Sequence, residues 1–177
     1  MKHQYLQTIR TLFLIAAAVA GMAAIHSLSA QQTSSGRIYN ARSQKCLEPL
    51  NASKAPGAAI VLADCDSTVA AQQWYRTPAT GTNGDVVHYV NAFTGLCLDA
   101  RGGAANSTPV QQWTCDQITN ENWQYEQNSG DSEPKVVSRV SGTNSFCLDI
   151  PGGGTNDGLA LQIYTCNGSP AQHFYTP

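Results

Sequence analysis

Charged residues are scarce in this chain, and the basic ones form no cluster. They make up 12% of the 177 residues, and the formal net charge is −2. A nucleic-acid-binding face needs clustered lysine and arginine, so no nucleic-acid partner is expected. Helix-rich chains are rich in Glu, Lys, Leu and Arg, whereas this chain has 15 Gly and 8 Pro. That composition is typical of short strands joined by turns, and no stretch after residue 30 predicts a helix.

Motifs for catalysis and for metal binding are also missing from the sequence. Zinc ligands come in closely spaced pairs, but the cysteines here are at least 18 residues apart and His88 and His173 are isolated. Gly-x-Ser-x-Gly is absent, and the three glycines at 152–154 lack the Lys-Ser/Thr of a phosphate-binding loop. A glycosidase needs two carboxylates about 5–10 Å apart on one bond. The sequence predicts a protein that is not an enzyme and that uses no metal and no cofactor.

The first thirty residues differ from the rest in having an apolar run. Lys2 and Arg10 precede the apolar residues 12–25, small residues continue to Ala30, and a polar stretch follows. This is the layout of a secretory signal peptide, and the apolar run is shorter than the roughly 20 residues that a membrane span requires. We therefore expect a signal peptide at 1–30, a short linker at 31–36 and a secreted (extracellular or periplasmic) protein. No membrane insertion is expected after cleavage.

Six cysteines follow the leader, and their spacing recurs three times. Paired cysteines lie 19, 18 and 19 residues apart, and Trp74, Trp123 and Phe174 each follow one pair. A period of about fifty residues predicts three copies of one supersecondary unit, at 37–86, 87–136 and 137–177. An even cysteine count in an exported chain indicates disulfides; fifteen pairings are possible. The constant gap favours one bridge in each repeat: Cys46–Cys65, Cys97–Cys115 and Cys147–Cys166.

Each repeat contains about four short strand-like runs. The first strand-like run of each repeat lies at 37–40, 87–91 and 136–141. Then come a Cys-Leu-acid triplet, a loop rich in Gly, Asn and Pro, a run into the second cysteine, and a last run that carries the aromatic. One such unit cannot bury its own apolar face, whereas three that close on one another can, and closure also removes free sheet edges. The chain predicts an all-β, closed, three-fold structure of about twelve short strands.

These motifs resemble the ricin B-chain-type lectin domain. The resemblance is carried by the Cys-Leu-acid triplets at 46–48, 97–99 and 147–149, the segments Gln-Gln-Trp-Thr-Cys and Gln-Ile-Tyr-Thr-Cys that end at Cys115 and Cys166, and the closing motifs at 72–74 and 172–174. It covers residues 37–177 and implies a β-trefoil with one Gln-x-Trp signature in each repeat. One such signature is weak, but three in phase with three cysteine pairs are specific. The resemblance also implies that the protein binds carbohydrate.

The resemblance assigns sugar-binding roles to two residue types. The aspartate of Cys-Leu-Asp accepts hydrogen bonds from sugar hydroxyls, and an aromatic two residues before the second cysteine stacks on the sugar ring. The second repeat carries Asp99, Gln111, Trp113, Asp116 and Asn120 at or beside these positions. The third repeat carries Asp149, Gln162, Tyr164 and Asn167. The first repeat is expected to be inactive, because Glu48 replaces the aspartate and Ala63 the aromatic.

Three further positions depart from the family pattern. Gln112 replaces a core aliphatic residue, Glu121 replaces the glutamine of Gln-x-Trp, and Ala171 replaces an asparagine. An alternative interpretation makes Trp113 a core residue and Asp99 a turn former. We expect Trp74, Trp123 and Phe174 to pack in the core, and Gln72 and Gln172 to satisfy buried backbone groups.

The sequence thus predicts a secreted lectin module that recognises galactose-type sugars or a xylan-like polysaccharide, and it does not choose between them. Glycans are the expected partners. Family members are often fused to glycoside hydrolases or toxins, so a separate enzyme or toxin chain is a further candidate partner. The alternative function is a secreted trefoil that binds a protein through its loops, as an inhibitor or as the adhesion subunit of a toxin.

Overall fold

The computed structural model describes residues 34–127, 133–143 and 145–177. These residues contain twelve short strands and five single-turn 3-10 segments. The predicted signal peptide lies outside these residues. Within them, no helix is long and apolar enough to cross a membrane. The strands are β1 (Tyr39–Asn40), β2 (Lys45–Pro49), β3 (Ile60–Asp64), β4 (Trp74–Pro78), β5 (Val86–Asn91), β6 (Cys97–Ala100), β7 (Thr108–Trp113), β8 (Trp123–Glu126), β9 (Lys135–Ser138), β10 (Phe146–Asp149), β11 (Gln162–Thr165) and β12 (Phe174–Tyr175). The 3-10 turns are Leu50–Ala52, Ala70–Gln72, Thr119–Glu121, Pro151–Gly153 and Pro170–Gln172. The all-β prediction is confirmed.

The first and last strands of the three repeats form a closed ring. Strands from neighbouring repeats pair antiparallel as β12–β1, β4–β5 and β8–β9. The ring is completed by pairing of β5 with β8 and by single bridges that join Gly36 to Trp74 and Lys135 to His173. Because each of these six strands has a neighbour on both sides, the ring closes as a barrel.

The two middle strands of each repeat form a hairpin, and the three hairpins contact one another. The hairpins are β2–β3, β6–β7 and β10–β11. β7 pairs with β11, and bridges Ala59–Gln111 and Val61–Ala160 link the first hairpin to the other two. This is the three-fold β-trefoil that the cysteine period and the Gln-x-Trp motifs predict.

β9 is shorter than the strand-like run that the sequence shows. It ends at Ser138, whereas the run continues to residue 141. The backbone N–H of Val140 donates to the Ser138 hydroxyl oxygen (3.4 Å), and that of Gly142 donates to the carbonyl of Arg139 (2.9 Å). These bonds turn the chain away from the ladder, which local side chains of this kind commonly do.

The three closing aromatics, Trp74, Trp123 and Phe174, are fully buried. The indole N–H of Trp74 donates to the carbonyl of Leu47 (3.0 Å), and that of Trp123 donates to the carbonyl of Leu98 (2.9 Å). Each indole therefore fills the core and also satisfies a buried backbone carbonyl. The prediction of a core role is confirmed.

Each repeat contains one disulfide, as predicted. The bonds are Cys46–Cys65, Cys97–Cys115 and Cys147–Cys166, and the Cα atoms of each pair lie 5.0–5.2 Å apart. Each closes the hairpin of its repeat beside the strand that carries the Cys-Leu-acid triplet. In the chain-entropy account, loops of this length contribute about 3 kcal/mol to stability.

Candidate functional site

The aspartates of the second and third repeats are held in the same way. Asp99 lies opposite Gln111 in the β6–β7 ladder, and the Gln111 side-chain amide donates to Asp99 Oδ1 (2.7 Å). Asp149 lies opposite Gln162 in the β10–β11 ladder, and the Gln162 amide donates to Asp149 Oδ2 (2.8 Å). A directly opposed pair on one sheet face brings side chains into contact. Each carboxylate is therefore fixed before any ligand arrives.

Both aspartates have a raised pKa. Asp99 and Asp149 are only 2% and 5% exposed. Burial, which disfavours the charged form, is the main cause, and the glutamine hydrogen bond opposes it in each case. The nearby charge of Asp116 further raises the pKa of Asp99. These are partly desolvated acceptors, which bind hydroxyl groups more strongly than exposed ones do.

The aromatic of the second repeat projects to solvent. Trp113 ends β7 and is 39% exposed, whereas Val110 and Gln112 on the same strand are fully buried. Alternate residues of a strand face opposite sides, so Trp113 shares the outer face with Gln111. The interpretation of Trp113 as a core residue is therefore wrong.

Gln112, which departs from the family pattern, hydrogen-bonds to a loop of the first repeat and to a turn of its own repeat. Its side-chain amide donates to the carbonyls of Ser53 (2.7 Å) and Ala55 (2.9 Å), and its Oε1 accepts from the Thr94 hydroxyl (3.0 Å). The same first-repeat loop reaches Gly57, where an added Cβ would lie 3.6 Å from Cζ3 of Trp113. A buried polar residue at this position thus anchors the loop that runs beside the exposed tryptophan.

Glu121, the second departure, sits where the other repeats have a structural glutamine. Gln72 accepts from the N–H of Asp66 (2.9 Å) and donates to the carbonyl of Asp64 (2.9 Å). Gln172 likewise accepts from the N–H of Asn167 (2.8 Å) and donates to the carbonyl of Thr165 (3.0 Å). Both glutamines therefore satisfy backbone groups, as predicted.

A carboxylate can accept these bonds but cannot donate one. Glu121 is fully buried and accepts from the backbone N–H groups of Asp116 (3.2 Å) and Gln117 (3.1 Å). Burial raises the pKa of Glu121 to about 7, and the neighbouring Asp116 adds to the rise, while the two backbone bonds oppose it.

The two remaining predicted residues of the second repeat lie at the edge of this group. Asp116 is exposed, immediately after Cys115. Asn120 is half-buried on the turn Thr119–Glu121, which packs against β6, the strand of Asp99. The structure therefore brings Asp99, Gln111 and Trp113 together on one hairpin, with Asp116 and Asn120 on the segment that follows it.

The four predicted residues of the third repeat line one depression of about 420 Å³. Tyr164 and Gln162 are half-buried on β11, and Asp149 ends β10. Asn167 is exposed, and its Oδ1 accepts from the N–H of Ser169 (2.9 Å). The other lining residues are Arg42, Ile150, Gly152, Gly153, Ser169, Pro170 and Ala171.

Arg42 is the charged lining residue that the sequence analysis did not predict. It belongs to the first repeat, between β1 and β2, but it reaches the third-repeat depression because the ring closes through β12–β1 pairing. All residues of each predicted site lie within one repeat. The spacing of motifs along the sequence does not indicate a residue that comes from the adjacent repeat of the ring.

The first repeat differs in its acid and in its platform. Glu48 lies opposite Val61, which offers no amide, and the Glu48 carboxylate instead accepts from the Gln72 side chain (2.9 Å). Ala63 occupies the aromatic position opposite Cys46. The acid of the first repeat therefore lacks an amide opposite it, and the inactivity of this repeat stays a prediction.

One group of potential metal ligands is better explained as a structural network. Ligand atoms of His88, Cys97 and Glu121 lie within 4.8 Å of one another. However, the Cys97 sulfur is in a disulfide. The two ring nitrogens of His88 lie 2.9 Å from Asn122 Oδ1 and 3.3 Å from the Gln117 amide nitrogen. The thiolate that a metal would need is not available here.

Comparison with protein-family profiles matches residues 34–174 to the ricin-type beta-trefoil lectin domain. A search of curated protein sequences found no match.

Three solved structures illustrate the similarity of fold. An exo-beta-1,3-galactanase from Clostridium thermocellum is 26% identical over 83% of this chain and 30% of its own, with a TM-score of 0.72. ThreeFoil, a designed three-fold symmetric protein, is 24% identical over 78% of this chain and 94% of its own, with a TM-score of 0.69. The ricin B-like lectin of Macrolepiota procera, solved in complex with lactose, is 18% identical over 80% of this chain and 93% of its own, with a TM-score of 0.64. The chain thus spans less than a third of the galactanase and nearly all of the other two.

Proposed function

This chain belongs to the ricin-type beta-trefoil lectin domain family, and on that premise we propose that it binds carbohydrate through two sites, one in the second repeat and one in the third. The second-repeat site comprises Asp99, Gln111, Trp113, Asp116 and Asn120. The third-repeat site comprises Asp149, Gln162, Tyr164 and Asn167.

One observation carries the proposal: in both repeats a buried aspartate is oriented by a glutamine directly opposite it, on the hairpin that also carries the aromatic. The Gln–Asp bonds are 2.7 and 2.8 Å long. In the first repeat, the corresponding positions hold Glu48, Val61 and Ala63. A pair that is present in the second and third repeats but absent from the first is not required by the fold.

The chemistry of this arrangement suits a sugar. A pyranose offers an apolar face of ring C–H groups, which can stack on an aromatic side chain. Its hydroxyls can donate to a carboxylate, and such charge-assisted bonds are stronger than neutral ones. The glutamine that holds the carboxylate keeps an amide oxygen that can accept from a further hydroxyl.

Galactose-type sugars or a xylan-like polysaccharide are the ligand classes that we propose. Two structures of similar fold support the galactose-type class: the Macrolepiota lectin was solved with lactose, and an earthworm R-type lectin was solved with GalNAc. Two sites on one rigid body would gain affinity for a repeated glycan when their separation matches that of the glycan units.

We further propose that the protein acts without catalysis and after secretion. The layout of residues 1–30 supports export, and three disulfides suit an oxidising compartment. A separate enzyme or toxin chain could use such a module to reach a glycan. The galactanase whose structure is similar carries a great deal of chain beyond the matched part.

The test is binding of the purified, oxidised protein to a glycan array with insoluble xylan alongside. The Trp113→Ala, Tyr164→Ala double variant should lose at least tenfold in apparent affinity, because both stacking platforms are gone. Phe93→Ala is the matched control: Phe93 is similarly exposed, at 37%, but lies outside both sites. Binding of a glycan that is unchanged in the double variant would refute the two-site proposal and would move the search to the loops and a protein partner.

A further inference from the structure

The turn that joins the first two strands of each repeat docks on the preceding repeat of the ring. In each case one backbone N–H of this turn donates to a carbonyl just after a 3-10 turn, at 2.8 Å. The 3-10 turn follows the second cysteine of its repeat, beside the site. The three equivalent bonds run from Ala41 to His173, from Ala92 to Gln73 and from Arg139 to Asn122.

The next residue of each turn is therefore equivalent in the three repeats and stands at the rim of its neighbour's site. These residues are Arg42, Phe93 and Val140. Their backbone N–H groups donate to matching acceptors, on Asn40 (3.2 Å), Asn91 (3.1 Å) and Ser138 (3.4 Å). By this equivalence Arg42 borders the third-repeat site, Phe93 borders the corresponding surface of the first repeat, and Val140 borders the second-repeat site.

The position of Arg42 is fixed by its backbone. The Asn40 side chain, which is 1% exposed, donates to the carbonyls of Pro170 (3.0 Å) and His173 (2.9 Å) and accepts from the N–H of Ser43 (2.9 Å). Pro170 itself lines the third-repeat depression. The turn is thus bonded to the wall of that depression, and the Arg42 side chain extends from it along the lining.

No acidic side chain in the described ranges forms an ion pair with Arg42. Asp149 shares the third-repeat depression with it. Glu133 and His173 line a second depression, of about 320 Å³, that Arg42 also borders, and Glu133 accepts from the Tyr175 hydroxyl (3.1 Å). An exposed guanidinium beside a polar depression remains able to pair with a ligand.

The named charges around the two sites differ: those of the second-repeat site are both negative, whereas those of the third-repeat site balance. The second-repeat site has Asp99 and Asp116 with Val140 at its rim. The third-repeat site has Asp149 with Arg42 at its rim, and the neutral Asn167 takes the place of Asp116. The former site therefore repels a negatively charged ligand, whereas in the latter one positive charge offsets the single carboxylate.

We propose that the third-repeat site binds an anionic sugar, whose carboxylate or sulfate pairs with Arg42 while its hydroxyls bond to Asp149. This inference rests on the proposed function of the same site. A guanidinium is the side chain that best matches such a group, because its planar fork can donate two parallel hydrogen bonds. The second-repeat site has two carboxylates, Asp99 and Asp116, and Val140 in place of Arg42 at its rim, so we expect it to favour uncharged sugars.

The experiment compares galactose with galacturonate and with galactose 6-sulfate, each against single-site proteins. Trp113→Ala removes the aromatic of the second-repeat site, so only the third-repeat site stays intact. Tyr164→Ala does the reverse and keeps only the second-repeat site intact. In Trp113→Ala, galacturonate should bind about five-fold more tightly than galactose, as expected for a partly exposed charge pair. The ratio of the two affinities should fall towards one when Arg42→Ala is added to Trp113→Ala, and also at high salt. The sulfate arm shows whether the carboxylate or negative charge in general is recognised.

Arg139→Ala is the matched control. Arg139 precedes Val140 in the equivalent turn, and its guanidinium donates to the Gln124 side chain (3.2 Å) and belongs to neither site. Adding Arg139→Ala to Trp113→Ala should leave the ratio of the affinities for galacturonate and galactose unchanged. In Tyr164→Ala, galactose should bind more tightly than galacturonate.

The outcomes separate the inference from the proposed function. Binding of galactose with no preference for either anionic sugar in Trp113→Ala would overturn the role of Arg42 and leave the two-site proposal standing. A ratio that Arg42→Ala does not change would overturn it equally. Failure of the folded protein to bind galactose, xylan and both anionic sugars would overturn the proposed function and the inference together.

Discussion

Replacing Glu121 by glutamine should stabilise the protein at alkaline pH and have little effect at acid pH. Glu121 is fully buried where Gln72 and Gln172 occupy the other repeats. In those repeats the amide group donates to the carbonyl of residue 64 or 165 (2.9 and 3.0 Å). A glutamate can make that bond only when it is protonated. The substitution restores the donor and removes the buried charge.

The size and sign of the effect follow from the pKa. Burial raises the pKa of Glu121 from 4.5 to about 7. An acid whose pKa is higher in the folded state favours folding most when it is protonated, so its contribution is complete below pH 4.5 and lost as the pH rises to about 7. The full loss is on the order of 3 kcal/mol. Glu121→Gln should recover about that amount at pH 8, and less than about 1 kcal/mol at pH 5.

The assay is thermal or urea unfolding of the wild type and of Glu121→Gln at about pH 5 and pH 8, with disulfides intact. A gain of about 3 kcal/mol corresponds to about 6–12 °C in melting temperature for a domain of this size. The reciprocal control is Gln172→Glu, which should destabilise the third repeat at pH 8 more than at pH 5.

Two results would refute the reasoning. An equal gain at both pH values would mean that Glu121→Gln acts through packing and not through charge. A loss at pH 8 would mean that the carboxylate, which accepts from the N–H groups of Asp116 and Gln117, holds this segment better than an amide does.

Three further predictions address the core, the disulfides and the sites. Trp123→Phe removes the N–H that donates to the carbonyl of Leu98, and it should cost about 1–3 kcal/mol in urea unfolding because a buried acceptor is left unpaired. Replacing both Cys147 and Cys166 with alanine should cost on the order of 3 kcal/mol, measured as the denaturant midpoint shift against the oxidised wild type. Sugar binding should weaken on acidification, because protonated Asp99 and Asp149 accept fewer hydrogen bonds; the raised pKa of each places the loss above the usual 3.8 in a binding titration against pH.

The fold could be predicted from the sequence because its determinants are local and repeated. Each cysteine pair closes a hairpin within one repeat, so a constant spacing of 18 or 19 residues is enough to indicate the pairing. Trp74 and Trp123 recur at one phase of the period, where each fills the core and donates its indole N–H to the carbonyl of the equivalent leucine, Leu47 or Leu98. Strand ends were less predictable: β9 stops at Ser138 because one hydroxyl group turns the chain.

The sites were predictable only as far as they lie within one hairpin. Asp99 and Gln111 are opposite each other in a two-stranded ladder, and the spacing of the motif is sufficient to pair them. Arg42 is far from Asp149 in sequence and joins its depression only through ring closure. Gln112 holds a first-repeat loop beside Trp113 through contacts that no motif encodes.

The internal symmetry of this protein distinguishes the side chains that the fold requires from those that it does not require. A side chain that recurs in all three repeats is explained by the fold, as the buried Trp74, Trp123 and Phe174 are. A position that differs among the repeats, on the same backbone, must be explained by its own surroundings. At the rim of the first repeat, Phe93 lies under the ammonium group of Lys54, 4.2 Å from the ring centre, beside a repeat whose acid is bonded to Gln72. The equivalent position is Arg42 at the third-repeat site. The turn bonds at Phe93 and Arg42 are equivalent, so the difference between these two rims lies in the side chains. Under the proposed function, this rim position is where the ligand preference can differ between repeats.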